Sequence, residues 1–272
     1  MSYLFYLLVS YLNTASKDDL NYAIAEYILK HADEITATDM NITVLAQNCH
    51  VSPASVSRFC RKFGFDDYSH LKSECSHFLT NKITEYQSDL MFKDPMGAAK
   101  QMKANMEMQL SSMLSTLDFN QIDAFIYDIF KANTVAIFAS HFSHSVAQLL
   151  QSNLFSCNQF CLARGDTEGQ IKSAEALTKD DIAIVISVRG NYLDYKERKL
   201  NQRLAKAIKK SGAKVVYITA NQDPQLKKEC DQILYISMST NVYMGGRYLL
   251  LSFMEILSSR LITIYNETMR GD

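Results

Sequence analysis

Two spacings of apolar residues divide this chain. As far as residue 131, apolar side chains return every three or four positions, as they do in helices buried on one face; from residue 134, short β-branched and aromatic runs alternate with helical stretches. In the first part, Ile42, Leu45, Ala46 and Cys49 fall at i, i+3, i+4 and i+7, and Val56, Phe59, Cys60 and Phe63 form a second stripe. Between them lies a short break, His50-Val51. Ser52-Pro53 follows, supplying an N-cap hydroxyl and a proline at the first helical position, where its missing N–H costs nothing. Gly64 ends the second helix, and another is expected from about Tyr68 to Leu79. Upstream, Ser16-Lys17-Asp18-Asp19 has the form of a capping box with Asp in place of Glu, opening a helix that turns Leu20, Ala23, Ile24, Tyr27 and Ile28 toward the core.

Residues 81–117 show no strand pattern; Met102, Met106, Leu110 and Met113 recur at helical spacing, so a connecting helix is expected. An amphipathic helix covers 119–131. The runs TVAIFA (134–139), QFCLA (159–163), DIAIVIS (181–187), KVVYIT (214–219) and QILYIS (232–237) read as strands. Helices are expected near 144–156, 167–177, 197–211 and 223–229, with a last long one over 242–265. Such alternation gives a parallel sheet covered by helices on both faces. The expected fold is therefore α/β: an all-helical domain (1–80), a helical linker (81–117) and a five-stranded parallel α/β sandwich (118–272), with the hinge near Pro95.

Length and composition suit two soluble domains: 272 residues, 47% hydrophobic, 21% charged. The net charge of −1 makes the whole chain no polyelectrolyte partner for nucleic acid. Residues 1–80 carry six Lys/Arg against nine acids, so any nucleic-acid surface there must be a local one built from Arg58, Arg61, Lys62 and Lys72. The six cysteines form no C-x-x-C pair and no zinc spacing, and they read as reduced core thiols. The apolar start SYLFYLLVSYL is too short to span a bilayer and lacks a basic region or cleavage site; it reads as a helix buried in the first domain or against a second subunit. A cytoplasmic protein without a membrane partner is expected. His141 and His144 lack further ligands nearby, and Gly245-Gly246 is followed by Arg247-Tyr248 rather than Lys-Ser/Thr. No metal, cofactor or catalytic set is expected. The basic run Lys196, Arg198, Lys199, Arg203, Lys206, Lys209, Lys210 and Lys214 reads as a solvated helix face.

At about 100° per residue, Ala54, Arg58 and Arg61 point away from the apolar stripe of the second short helix, with Ser55, Ser57 and Lys62 on its flanks. An αα-hairpin in any helical bundle has similar stripes; the Ser-Pro cap and the cationic outer face are what suit the major groove of DNA. The candidate DNA contacts are Ser52, Ala54, Ser55, Ser57, Arg58, Arg61 and Lys62.

The combination resembles the RpiR (MurR/RpiR) bacterial transcription regulators, which join a helix-turn-helix domain to a sugar-isomerase (SIS) domain. The resemblance covers nearly the whole chain. Its most specific part is HVSPASVSRFCRKFGFDDYSHLK (50–72), close to the family's V-S-x-[AS]-[ST]-[IV]-x-R-[FL]-x-x-x-[LF]-G-[FY] signature, with His50 where a glycine is usual. The SIS half matches in strand order and in Asp231 ahead of the fifth strand. The resemblance implies a double-stranded DNA operator, a homodimer or tetramer, and a phosphosugar effector held by serine-rich loops after the first and third strands. Here those loops depart from the pattern. G-x-G-x-S becomes Ala139-Ser140-His141-Phe142-Ser143, and S-x-S-G-x-[TS] becomes Ser187-Val188-Arg189-Gly190-Asn191-Tyr192. The candidate effector residues are Ser140, His141, Ser143, Ser187, Arg189, Gly190 and Asn191. Arg189 either pairs with phosphate in place of lost hydroxyls or closes, with Tyr192, a site no longer used. The alternatives are a SIS-fold phosphosugar isomerase using His141 or His144 as base, and a regulator whose SIS domain only dimerises.

Overall fold

A computed structural model of the protein describes residues 3–37, 39–80, 91–193, 199–223, 225–237 and 246–270. The chain divides into two units, Met1–Pro95 and Met96–Asp272. The first is built from α1 (Tyr3–Leu12), α2 (Leu20–Lys30), the single-turn α3 (Ala32–Thr36), α4 (Ile42–Asn48), α5 (Pro53–Lys62) and α6 (Tyr68–Thr80). Its core gathers Leu4, Leu8, Ile24, Ile28, Ile35, Leu45, Val56, Phe59, Cys60 and Leu71, so the apolar N-terminal helix buries Leu4 and Leu8 in this bundle. Asp19, not Ser16, caps α2: its carboxylate accepts from Asn21 N. That places Leu20 at the first helical position, where it is 57% exposed rather than in the core, and Ala23 is only half-buried.

After Pro95, the first residue of α7 (Pro95–Thr116), the second unit takes up the rest of that helix and α8 (Phe119–Lys131). Met113 of α7 is fully buried in the core of the sandwich, and residues 81–90 of the expected connecting helix lie outside the described residues. Then follow β1 (Val135–Ala139), α9 (Phe142–Ser156), β2 (Cys161–Leu162), α10 (Thr167–Ala176), β3 (Ile182–Ile186), α11 (Lys199–Ser211), β4 (Lys214–Thr219), β5 (Gln232–Tyr235) and α12 (Gly246–Arg270). All neighbouring strands are parallel, in the order β2-β1-β3-β4-β5.

Alternate strand residues feed two separate cores, as a sheet covered on both faces requires. Val135, Ile137, Ile184, Val216 and Ile218 meet α8, α9 and α12. Ala136, Phe138, Ala183, Val185 and Tyr217 meet α10 and α11. Although α12 is long and apolar, Leu249, Leu250, Phe253, Met254, Leu257, Leu261 and Ile264 bury one side of it in the first of these cores.

Three expected elements change. QFCLA shrinks to a two-residue strand because only Cys161 and Leu162 come into register with β1, and Phe160 is 52% exposed at the sheet edge. The helix expected over 223–229 is a 3-10 turn, Leu226–Lys228. The last helix runs to Arg270, and residues 242–245 of its expected start lie outside the described residues. Cys49, Cys60, Cys75, Cys157 and Cys161 are buried free thiols. Burial pushes Cys49 and Cys60 up to about 11, and Cys75 and Cys161 up to about 12, well away from reactive thiolates.

Candidate functional site

In the helical unit, α4 and α5 form a helix-turn-helix whose ends are fixed by side chains. Asn41 Oδ1 accepts from Thr43 N and Val44 N at 2.9 and 3.1 Å, and Ser52 Oγ accepts from Ser55 N at 3.1 Å. The turn between the helices passes through His50 at φ 53°, a left-handed conformation that histidine tolerates better than most side chains. Val56, Phe59 and Cys60 are fully buried and hold α5 in the bundle.

On the other side of α5, Ser52, Ala54, Arg58, Arg61 and Lys62 are exposed and Ser57 is half-buried. Ser55 is not outward-facing: it is 8% exposed, its Oγ lies 3.0 Å from Ser52 Oγ and accepts from Arg58 Nη2 at 3.0 Å. It belongs to the cap and orients Arg58. Lys62 leans back onto the bundle, with its ammonium 4.5 Å from the Tyr11 ring centroid, 3.3 Å from the Tyr11 hydroxyl and 3.9 Å from the Asp19 carboxylate. The Tyr11 hydroxyl donates to Asp19, and that bond, ahead of the one from Asn21 N, holds the Asp19 carboxyl below its ordinary range. Lys72 donates to the carbonyls of Ala37 and Met40, so it braces the loop before α4 rather than extending the cationic face.

In the second unit, β1 and β3 are neighbours whose onward connections leave in opposite directions, the switch point at which open α/β sheets hold ligands. The register Ala139↔Ile186 brings the loops after these strands side by side. Ser140 and His141 follow β1. His141 caps α9 at φ 55°, ψ −134°, a backbone conformation suited to glycine, and its Nδ1 lies 3.0 Å from Ser140 Oγ. Ser143 is half-buried in the first turn of this 15-residue helix, whose N-terminus supplies a positive dipole end.

The loop after β3 is a tight turn: Gly190 N donates to Ser187 O at 2.9 Å, with Gly190 at φ 73°. Arg189 and Asn191 are exposed, whereas Ser187 is buried, and its hydroxyl accepts from Tyr192 N at 3.2 Å. Tyr192 lies in the core beside α10 and α11 and donates to Gln170 Oε1 at 2.8 Å; Gln170 Nε2 in turn donates to Ala139 O and Arg164 O. One chain of hydrogen bonds thus ties the β3 loop to the end of β1. His144, the other histidine of this region, is buried with Nε2 3.4 Å from Ala163 O; burial lowers its pKa and bonds to the backbone of Ala163 and Arg164 partly restore it.

Two residues near this crevice carry no sequence signal. Asn221, after β4, presses on Gly190 so closely that a Cβ there would lie 2.4 Å from Asn221 Nδ2. Arg247, at the start of α12, places its guanidinium 6.0 Å over the Phe142 ring at the start of α9. Both positions depend on how distant segments converge, which spacing along the chain does not encode. Among the described residues, no group of three or more His, Cys, Asp or Glu is placed to hold a metal ion.

Comparisons with known proteins find matches within each unit. Residues 12–82 match the family model described as helix-turn-helix domain, rpiR family, and residues 128–262 match the SIS domain. The HTH-type transcriptional regulator HexR of Pseudomonas aeruginosa is 28% identical over 250 residues, covering 89% of this chain and 85% of the relative. An uncharacterized HTH-type transcriptional regulator of Caldanaerobacter subterraneus subsp. tengcongensis is 26% identical over 224 residues, covering 82% and 77%. Among solved structures, the Vibrio vulnificus NanR protein complexed with ManNAc-6P aligns over 97% of this chain and 93% of its own, with 21% identity and a TM-score of 0.51, a likeness of fold.

Proposed function

Since the chain belongs to the RpiR family of helix-turn-helix transcriptional regulators and carries a SIS domain, we propose that it binds a palindromic DNA operator as a homodimer or a tetramer of paired dimers, and that a phosphosugar in the β1–β3 crevice sets its DNA affinity. The observation that carries this reading is the two-sided character of α5, with Val56, Phe59 and Cys60 anchored in the bundle and Arg58 and Arg61 standing exposed opposite them. Paired recognition helices about 34 Å apart would enter successive major grooves, Ser52 and Ser57 positioning on phosphates and Arg58 and Arg61 reading base edges. Arg58→Ala lowers specific operator affinity by about 1–3 kcal/mol in an anisotropy titration, and unchanged affinity refutes the assignment.

For the effector, the supporting features are the α9 N-terminus, the hydroxyl of Ser140 and the cationic side chains of Arg189 and Arg247 around one crevice, which suit a phosphate dianion. The relative solved with ManNAc-6P points to the same ligand class. To act as an effector, the ligand must bind DNA-competent and DNA-incompetent states unequally. A phosphosugar at about 100 times its Kd stabilises the fold by about 2.7 kcal/mol. A thermal-shift screen of phosphosugars reads this directly. No shift with any of them favours a SIS domain that serves dimerisation alone, and turnover of fructose 6-phosphate or N-acetylmuramic acid 6-phosphate by the pure protein favours an isomerase.

A further inference from the structure

Helix α11 carries Lys199, Arg203, Lys206 and Lys210 at i, i+4, i+7 and i+11, a straight exposed file opposite the buried Leu204, Ala205 and Ile208. Lys209 is exposed beside it. The neighbouring α10 and the turn after it interleave the exposed Lys172 and Lys179 with the exposed Glu168, Glu175 and Asp180, and the Lys179 side chain lies 3.8 Å from where a Cβ on Gly212, just past α11, would stand. From residue 199 to residue 222 there is no Asp or Glu, in a chain whose net charge is −1.

Two ordinary explanations fall short. The helix dipole favours cations in the last turn, which accounts for Lys209 and Lys210 but not for Lys199, Arg203 or Lys206. A solvated helix interleaves acids at i, i+4, as this chain does with Glu26–Lys30 at 2.8 Å and Lys103–Glu107 at 3.3 Å. No acid lies on α11; Arg203 reaches across to Glu168 of α10, at 2.8 Å. Among the described residues, Lys206, Lys209 and Lys210 make no ion pair.

The helical unit meanwhile is short of cations. Its first 80 residues hold six Lys/Arg against nine acids, and Lys62 and Lys72 are engaged within the bundle. Phosphate neutralisation dominates protein–DNA affinity, and Arg58 and Arg61 supply little of it. We propose that the basic face of α11 is a second DNA-contacting surface. It holds the phosphate backbone without reading sequence, so the SIS unit contributes affinity while α5 contributes specificity. This rests on the reading of the chain as a DNA-binding regulator.

The test titrates the full chain against a fluorescein-labelled random-sequence duplex of about 40 base pairs over a range of salt concentrations, because non-specific binding is phosphate-driven and needs no known operator. The variant combines Lys206→Gln, Lys209→Gln and Lys210→Gln. A control of equal net charge combines Lys131→Gln, Lys227→Gln and Lys228→Gln, all exposed on the same unit. All six positions are solvent-facing, and an unchanged melting curve verifies folding. The face variant loses about tenfold or more in affinity, and its slope of log affinity against log salt falls by about 2–3 per chain, while the control keeps the wild-type slope. A face variant that binds like wild type, or a control that loses as much, overturns the proposal and leaves the regulator reading standing. A wild-type protein that binds neither this duplex nor any other DNA overturns both.

Discussion

Gly190 is the residue at which the crevice between the β1 and β3 loops is most tightly specified. It combines φ 73° with an Asn221 side chain 2.4 Å from its would-be Cβ, so a side chain there meets backbone strain and a clash together. Gly190→Ala therefore destabilises the second unit by about 2–3 kcal/mol in a denaturant titration. Adding Asn221→Gly, which removes the Asn221 Cβ at 2.7 Å as well as Nδ2, recovers part of the loss but not all, because the clash goes and the strain stays. Full recovery assigns the whole cost to Asn221; no recovery removes the contact from the account. His141 holds a similarly strained conformation with its Cβ in place. The sequence pattern marked that loop by its missing glycines, and the geometry identifies the residue that took over the conformation.

At the scale of elements, α9 and the loop after β2 are joined through His144. Its pKa is lowered in the folded state, chiefly by burial, below the ordinary 6.5. The unfolded chain then binds the proton more readily, so stability is complete above pH 6.5 and declines as pH falls through that value toward the folded pKa. His144→Gln flattens this part of the stability profile, read from melts between about pH 7.5 and 5.5; an unaltered slope shows that another group carries it. Helices and strands with long regular stripes were legible in advance because burial on one face imposes its period on the sequence, as in α5, α8, β3 and β4. The short β2 and the Leu226–Lys228 turn were not, because their extent is set by which backbone partners the sheet edge offers. Leu20 was misplaced for a related reason: three acids and hydroxyls precede α2, and only the local fold decides which one caps it.

For the whole molecule, function depends on cations that sequence lists without assigning partners. Arg58 and Arg61 were legible as outward because helical phase alone places them opposite Val56 and Phe59. Lys72, from another helix, was not, since it bends to carbonyls more than 30 positions away by its contacts to Met40 and Ala37. The same holds in the crevice, where Ser187 has the expected position but spends its hydroxyl on Tyr192 N, and where Asn221 and Arg247 arrive from distant segments.

The ammonium that leans over Tyr11 toward Asp19 has a rival once a duplex arrives. A carboxylate of the same molecule competes with incoming phosphate, so engagement of Lys62 must first break an internal attachment. Asp19→Asn keeps a good helix cap but discharges the competitor, and an exposed pair of this kind is worth at most about 1 kcal/mol. DNA affinity in the titration should rise by about two- to fivefold, and Lys62→Met in the same background should abolish the gain. An affinity indifferent to both changes would mean that Lys62 stays with its own protein throughout, and that the acid beside it restrains nothing.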